Sequence, residues 1–217
     1  MATMEAIVTG HSDGWAFASA SSGIVNTTTA VALKAGVTAP ACNYVASLQI
    51  AHDALGGATP VFAKLSPDVT DIAAIARACM AAGADGLSMI NTLLGMTIDT
   101  VTMRPALAGT TGGLSGPAIR PIAVRCIWQV RAALGNVPII GMGGVRTGRD
   151  ALELILAGAA MVSIGTTIFH DPSACARILR ELEEELARRG IERLADIIGL
   201  AHEPHPAPGR RLSGSSL

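Results

Sequence analysis

The chain has 217 residues, a formal net charge of −1 and a hydrophobic fraction of 50%. That length suits one domain with a real core but falls short of the ~250 residues of a complete (β/α)₈ barrel. Its 16 Lys and Arg residues are scattered, so neither a nucleic-acid footprint nor a basic membrane-facing helix is visible; charges such as Asp85 and Arg131 interrupt every apolar run before the ~20 residues a bilayer span needs. A small-molecule partner and a cytoplasmic location are the expectations.

Residues 1–59 are rich in Ala, Ser, Thr and Gly and offer short strand candidates at 6–9 and 44–50, but no strand-turn-helix unit; they are left as an unassigned N-terminal segment. From Pro60 the sequence settles into one rhythm of apolar strand, Gly- or Ser-rich turn, amphipathic helix and terminating glycine, which points to parallel βα units. The first strand is expected at 61–65. Thr70 or Asp71 can cap a helix through Ile72, Ile75 and Cys79 that stops at Gly83. The second strand is expected at 86–90. Pro117 suits the first turn of a helix through Ile122, Cys126 and Val130 to Leu134, closed by Gly135. A third strand at 137–141 is followed by Thr147 and Asp150, spaced as a capping box for a helix that ends at Gly158. The fourth strand is expected at 161–164. Asp171-Pro172 opens the last helix, whose stretch from Arg180 to Arg189 carries opposite charges spaced for pairing on a wet face. Ala82-Gly83-Ala84 and Ala157-Gly158-Ala159 mark the same helix-to-strand joint twice. The fold class is therefore α/β, a partial (β/α)₈ barrel of about four C-terminal βα units over residues 60–201. The tail 202–217, with Pro206, Pro208 and a Ser/Gly finish, reads as disordered, and His202 and His205 as exposed residues rather than metal ligands.

In a parallel barrel the functional residues lie at the C-terminal ends of strands, and the loops after the last two strands commonly hold a phosphate. Gly141-Met142-Gly143-Gly144 and Gly165-Thr166-Thr167 follow the third and fourth strands, so several backbone N–H groups can converge on one anion. Glycines at such places also merely permit tight turns. Lys64 ends the first strand, where a cation would face the barrel mouth and stabilise negative charge on a ring; a strand-end lysine snorkelling to water is the alternative. Asn91-Thr92 ends the second strand and offers donors and acceptors suited to a planar heterocycle, although both residues also cap helices. The four cysteines Cys42, Cys79, Cys126 and Cys175 are far apart and form no CxxC pair, so neither zinc nor a disulfide framework is expected.

Taken in order, Lys64-Leu65-Ser66-Pro67-Asp68-Val69-Thr70-Asp71, Ala82-Gly83-Ala84-Asp85-Gly86 leading to Ile90-Asn91-Thr92, Gly112-Gly113-Leu114-Ser115-Gly116-Pro117, Ile139-Ile140-Gly141-Met142-Gly143-Gly144 and Gly165-Thr166 resemble the dihydroorotate dehydrogenase family, above all its NAD-linked two-subunit subclass. The resemblance implies the FMN-dependent oxidation of dihydroorotate to orotate in pyrimidine biosynthesis. It implies that Lys64, Ile90, Gly116, Gly143, Gly144, Gly165 and Thr166 bind FMN, the last four around its phosphate. Asn91 and Thr92 would hydrogen-bond the pyrimidine. An electron-transfer subunit carrying an iron–sulfur cluster and FAD is implied as a partner.

The family's N-terminal half should supply a further flavin-contacting lysine and an Asn-x-Ser-Cys-Pro-Asn-like motif with the catalytic cysteine. Neither is found before Pro60, and Cys42-Asn43 lacks a following proline, so the catalytic base stays unassigned. The pattern begins abruptly near Thr59-Pro60, as a frame change, a misplaced start or a broken gene would look at protein level. Half a barrel leaves sheet edges open, so self-association, most simply a two-fold dimer, is expected. Two other readings compete: a different phosphate-binding barrel enzyme, and an inactive truncated or frame-shifted product.

Overall fold

A computed structural model of the chain describes residues 60–204 and, ahead of them, the backbone of strands β1 (Ala16–Ser19) and β2 (Ser22–Asn26). The strand candidates at 6–9 and 44–50, Cys42, His205 and the rest of the tail lie outside the described residues.

β3 (Val61–Leu65) alternates as a strand with two different faces must: Val61, Ala63 and Leu65 are buried against helices, while Phe62 and Lys64 are half-buried on the other side. The Asp85 carboxylate accepts from the Val61 N–H at 2.7 Å and fixes where the strand starts. Asp71 caps α1 (Ile72–Ala81) by accepting from the Ala74 N–H at 2.9 Å. The helix closes as its repeated joint predicts. Gly83, at φ 95°, donates to Met80 O, and Ala84 donates to Cys79 O. The same pair of bonds recurs at Gly158, φ 127°, and Ala159, so both joints are Schellman turns in which only glycine relaxes at the left-handed position.

β4 (Gly86–Met89) is buried throughout. After it the chain leaves the rhythm for an arm built from β5 (Leu93–Gly95), β6 (Ile98–Asp99), β7 (Arg104–Pro105) and β8 (Gly112–Leu114), in which β5 pairs with β8 and β6 with β7, both antiparallel. The sequence showed no sign of it, because ladders of two and three residues leave no alternation to read. Pro117 opens a 3₁₀ turn that runs into α2 (Arg120–Leu134), and Gly135 ends it at φ 68°. β9 (Ile139–Met142) starts two residues later than expected. The Thr147/Asp150 capping box is formed at α3 (Gly148–Ala157), which leads to β10 (Met161–Ser163). α4 (Ala174–Arg188) begins three residues after Asp171, whose carboxylate takes the Ser173 N–H instead of capping the helix proper.

The main sheet has the order β1-β2-β3-β4-β9-β10, parallel from β2 to β10 with β1 antiparallel at the edge. Helices follow β3, β4, β9 and β10, which gives the four βα units read from the sequence. The core lies between the sheet's helix-facing residues, such as Leu65, Leu87, Met89 and Ile139, and Ala76, Cys79, Ala123, Ile127 and Leu154 of the helices. One layer on the inner face is visible as well: a Cβ on Gly86 would lie 2.4 Å from the Phe62 ring, so the aromatic side chain fills the space the glycine leaves.

Two expectations are corrected at the C-terminal end. The charged stretch of α4 is not uniformly wet, since the Glu185 side chain is buried among Arg149, Arg188 and Arg189 and ties α4 to α3. His202 is not a loose tail residue: its ring stacks on Trp128 with centroids 3.7 Å apart, and its Nε2 lies 3.0 Å from Ala157 O, at the last turn of α3. No local pattern in the sequence reports a partner 45 residues away.

Candidate functional site

The C-terminal ends of β3, β4, β9 and β10 bring the expected residues to one end of the sheet. Lys64 stands in register with Ser88, and Ser88 with Ile140. The Lys64 ammonium donates to the Met142 thioether at 2.7 Å, and the Ser88 hydroxyl lies 3.9 Å from the same sulfur. Lys64 is half-buried, and burial lowers its pKa to about 8. On the other side, β2 places Asn26 in register with Lys64, a neighbour the sequence reading did not single out.

Met142 leads directly into the glycine turn. Gly143 and Gly144 have φ of 127° and 75°, conformations that a side chain would strain. Space is equally restrictive. A Cβ on Gly144 would lie 2.8 Å from both Gly116 O and Arg120 Cβ, and one on Gly143 would lie 2.9 Å from Ala123 Cβ and 3.5 Å from Ile90. The turn therefore packs directly on the start of α2, with Gly116 at its side and Ile90 as its floor. Ile90 is only 2% exposed, and its N–H donates to Met142 O.

The loop after β10 is pinned to the same place by two hydroxyls. Thr167 donates to Val145 O at 2.8 Å, and Thr166 donates to Ser115 Oγ at 2.9 Å. Gly165, just before them, and Gly116 both border open space, where an added Cβ would meet nothing within 4 Å. Arg120 is held to Asp150 at 2.7 Å and to Glu153 at 3.0 Å, which fixes the start of α2 against the start of α3. With that guanidinium occupied by carboxylates, an anion in the cradle would be met chiefly by backbone N–H groups and hydroxyls.

Asn91 and Thr92 follow β4 as expected. Asn91 is half-buried and donates its N–H to Leu65 O. Thr92 lies under the arm: a Cβ on Gly113 would come within 2.3 Å of its hydroxyl, which explains a glycine there. Asp68 holds the arm from below by accepting from the Leu94 N–H at 3.0 Å. Ser115, Met142 and Asp68 were missed as individual residues because each acts through a partner distant in sequence.

Lys64, Ile90, Gly116, Gly143, Gly144 and Thr166 are thus brought into one connected cluster, with Gly165 beside Thr166 and Asn91 and Thr92 at the adjoining strand end. Cys79 and Cys126 lie in the helix layer, where burial pushes both thiols up, Cys79 to about 11. Among the described residues no three His, Cys, Asp or Glu side chains gather as a metal site, and no helix is long and apolar enough to cross a membrane.

A family model described as dihydroorotate dehydrogenase matches residues 19–186. The match starts within β1, ahead of the Pro60 boundary at which the sequence pattern becomes recognisable. A relative from Geobacter sp. (strain M21), named dihydroorotate dehydrogenase B (NAD(+)), catalytic subunit, is 56% identical over 140 residues, covering 64% of this chain and 46% of that protein. Its namesake from Desulforamulus reducens is 55% identical over 145 residues, covering 67% and 47%. The chain spans about half the length of the curated relatives it matches. Among solved structures, DHODH from Eimeria tenella in complex with ferulenol superposes with a TM-score of 0.58 at 34% identity, over 67% of this chain and 39% of that one. The ligand-free type from the same organism gives 0.60 at 29% identity, over 74% and 51%.

Proposed function

The chain belongs to the dihydroorotate dehydrogenase family, and we propose that it supplies the FMN-binding, pyrimidine-facing part of an enzyme that oxidises dihydroorotate to orotate. The observation that carries this reading is the packing of the Gly143-Gly144 turn onto Gly116 and the start of α2, with the Gly165-Thr166 loop pinned alongside by Ser115. Gly116 and Gly165 border open space that no side chain fills, so backbone N–H groups there can approach a phosphate, while Gly143 and Gly144 let the turn pack closely on the start of α2 beside them.

In this reading Gly116, Gly143, Gly144, Gly165 and Thr166 hold FMN, the last four by its phosphate. Lys64, at the mouth of β3, meets the ring with a positive charge, and Ile90 supports the turn beneath it. Asn91 and Thr92 present an amide and a hydroxyl, which match the alternating carbonyl and N–H groups of a pyrimidine. The bound flavin supplies the hydride acceptor. The proton on the neighbouring carbon needs a base, and no described residue is assigned that part. The relatives' designation as NAD(+)-linked catalytic subunits supports a separate electron-transfer subunit carrying an iron–sulfur cluster and FAD. We place the protein in the cytoplasm, as a homo-oligomer.

Two readouts on FMN-loaded protein test the proposal. Orotate should perturb the flavin absorption spectrum through the Asn91 and Thr92 pocket, and Asn91→Ala should weaken that effect. Under anaerobic conditions dihydroorotate should bleach the flavin more slowly than in a full-length relative, by up to the ~10²–10⁴-fold that a positioned base contributes. A flavin spectrum indifferent to both pyrimidines would contradict the assignment.

A further inference from the structure

We propose that Met142 is a positioning residue for Lys64: its thioether holds the lysine ammonium at the mouth of the barrel, aimed at the ligand, without taking away its charge. The inference rests on the reading of Lys64 as the cation that meets the flavin ring, and names the group that aims it.

Strand alternation puts the two residues on one face. Leu65 of β3, Met89 of β4 and Ile139 of β9 point to the helices, so Lys64, Ser88, Ile140 and Met142 share the opposite, inner face. Lys64 is in register with Ser88 and Ser88 with Ile140; Met142 lies one inner-face step beyond Ile140, toward the site. From there its Sδ accepts from the Lys64 ammonium at 2.7 Å, and the hydroxyl of the buried Ser88 lies 3.9 Å from the same sulfur. Chemistry fixes the direction of the first bond, because an ammonium only donates and a thioether only accepts.

A thioether is a weak, neutral acceptor. A carboxylate in its place would cancel the charge that the ring is to meet, and a plain hydrocarbon would leave the four-carbon stem free to rotate. Met142 does neither. Its backbone also leads into the Gly143-Gly144 turn, so one residue ties the place of the cation to the place of the turn. Lys64 is the sole titratable residue on β2, β3, β4 and β9. Asp68, in the loop after β3, is turned to Ser66 and the Leu94 N–H, and Asp85, at the far end of β4, to the Val61 N–H. Met142 and Ser88 therefore act on Lys64 without a charge of their own. Burial lowers the Lys64 pKa to about 8, and an acceptor for its hydrogens opposes that fall by favouring the charged form.

The sequence holds two lysines, Lys34 and Lys64, so protein labelled with 13C-lysine gives two ε-carbon signals, and Lys34→Arg identifies the one from Lys64. That signal is followed by NMR against pH in the full chain before FMN is added, with circular dichroism to confirm that each variant is folded. Met142→Leu, close in volume, removes the acceptor and should move the Lys64 titration down by about half a pH unit or more; Met142→Gln supplies a stronger acceptor and should move it up. The pH at which FMN affinity falls should shift with each variant in the same direction. A merely structural role would not give opposite shifts, because loosened packing admits water and raises the titration in both variants alike. A Lys64 titration unmoved in both, or moved the same way in both, would overturn the proposal. If it shifts as expected while the FMN profile stays fixed, Lys64 does not meet the ring, and Met142's part in the function falls with that reading.

Discussion

Burial holds the Lys64 ammonium to about 8 at the mouth of the barrel, so the group titrates within the range of an ordinary binding assay. Its charge is present below that pH and lost as pH rises through it. The phosphate of FMN has its second pKa near ~6 and is already fully charged over that interval. FMN affinity should accordingly fall between about pH 7 and 9, and Lys64→Met should flatten the profile; isothermal titration across this range measures it. An affinity that is constant with pH in the wild type would mean that Lys64 does not meet the ligand. Lys64 and the two glycine turns were legible in the sequence because their meaning follows from a strand end alone. Ser115 and Asp68 were not, because each is defined by a hydrogen bond to a residue 51 or 26 positions away.

Helix ends carried the clearest local signals. Asp71, the Thr147/Asp150 box, Gly135, Gly83 and Gly158 all act within one turn of the chain, so sequence order is enough to find them. Gly148 was invisible for the opposite reason. It opens α3 where α4 crosses, and a Cβ there would lie 2.3 Å from Leu182 N and 2.4 Å from the Glu181 carbonyl carbon. Alanine favours a helix interior over glycine by up to ~1 kcal/mol, but backbone atoms cannot yield as a flexible side chain would, and overpacking costs ~1–3 kcal/mol or more. Gly148→Ala should therefore destabilise the protein, lowering its urea midpoint followed by circular dichroism. An unchanged or raised midpoint would show that the two helices slide apart cheaply. The arm between β4 and α2 escaped for want of any periodicity, although its exposed Leu94, Val101 and Met103 are conspicuous once it is seen.

At the scale of the molecule, α/β alternation fixed the number of βα units, while the long-range strand order and the docking of His202 on Trp128 depended on contacts no local pattern encodes. Among the described residues the outer edge of β10 carries no partner strand, and the arm presents apolar side chains to solvent. We expect the chain to self-associate as a two-fold dimer; light scattering at micromolar concentration should give twice the chain mass, and a stable monomer would contradict this. The loops after β8, β9 and β10 are proposed to form one phosphate cradle. Its most direct test is FMN titration of the wild type beside Gly144→Val, with circular dichroism to confirm that both are folded. Saturable binding of one FMN per chain is expected in the wild type, and its loss in the variant, whose Cβ would stand 2.8 Å from Gly116 O. A folded wild type that takes up no FMN, or a variant that binds as well, would contradict it.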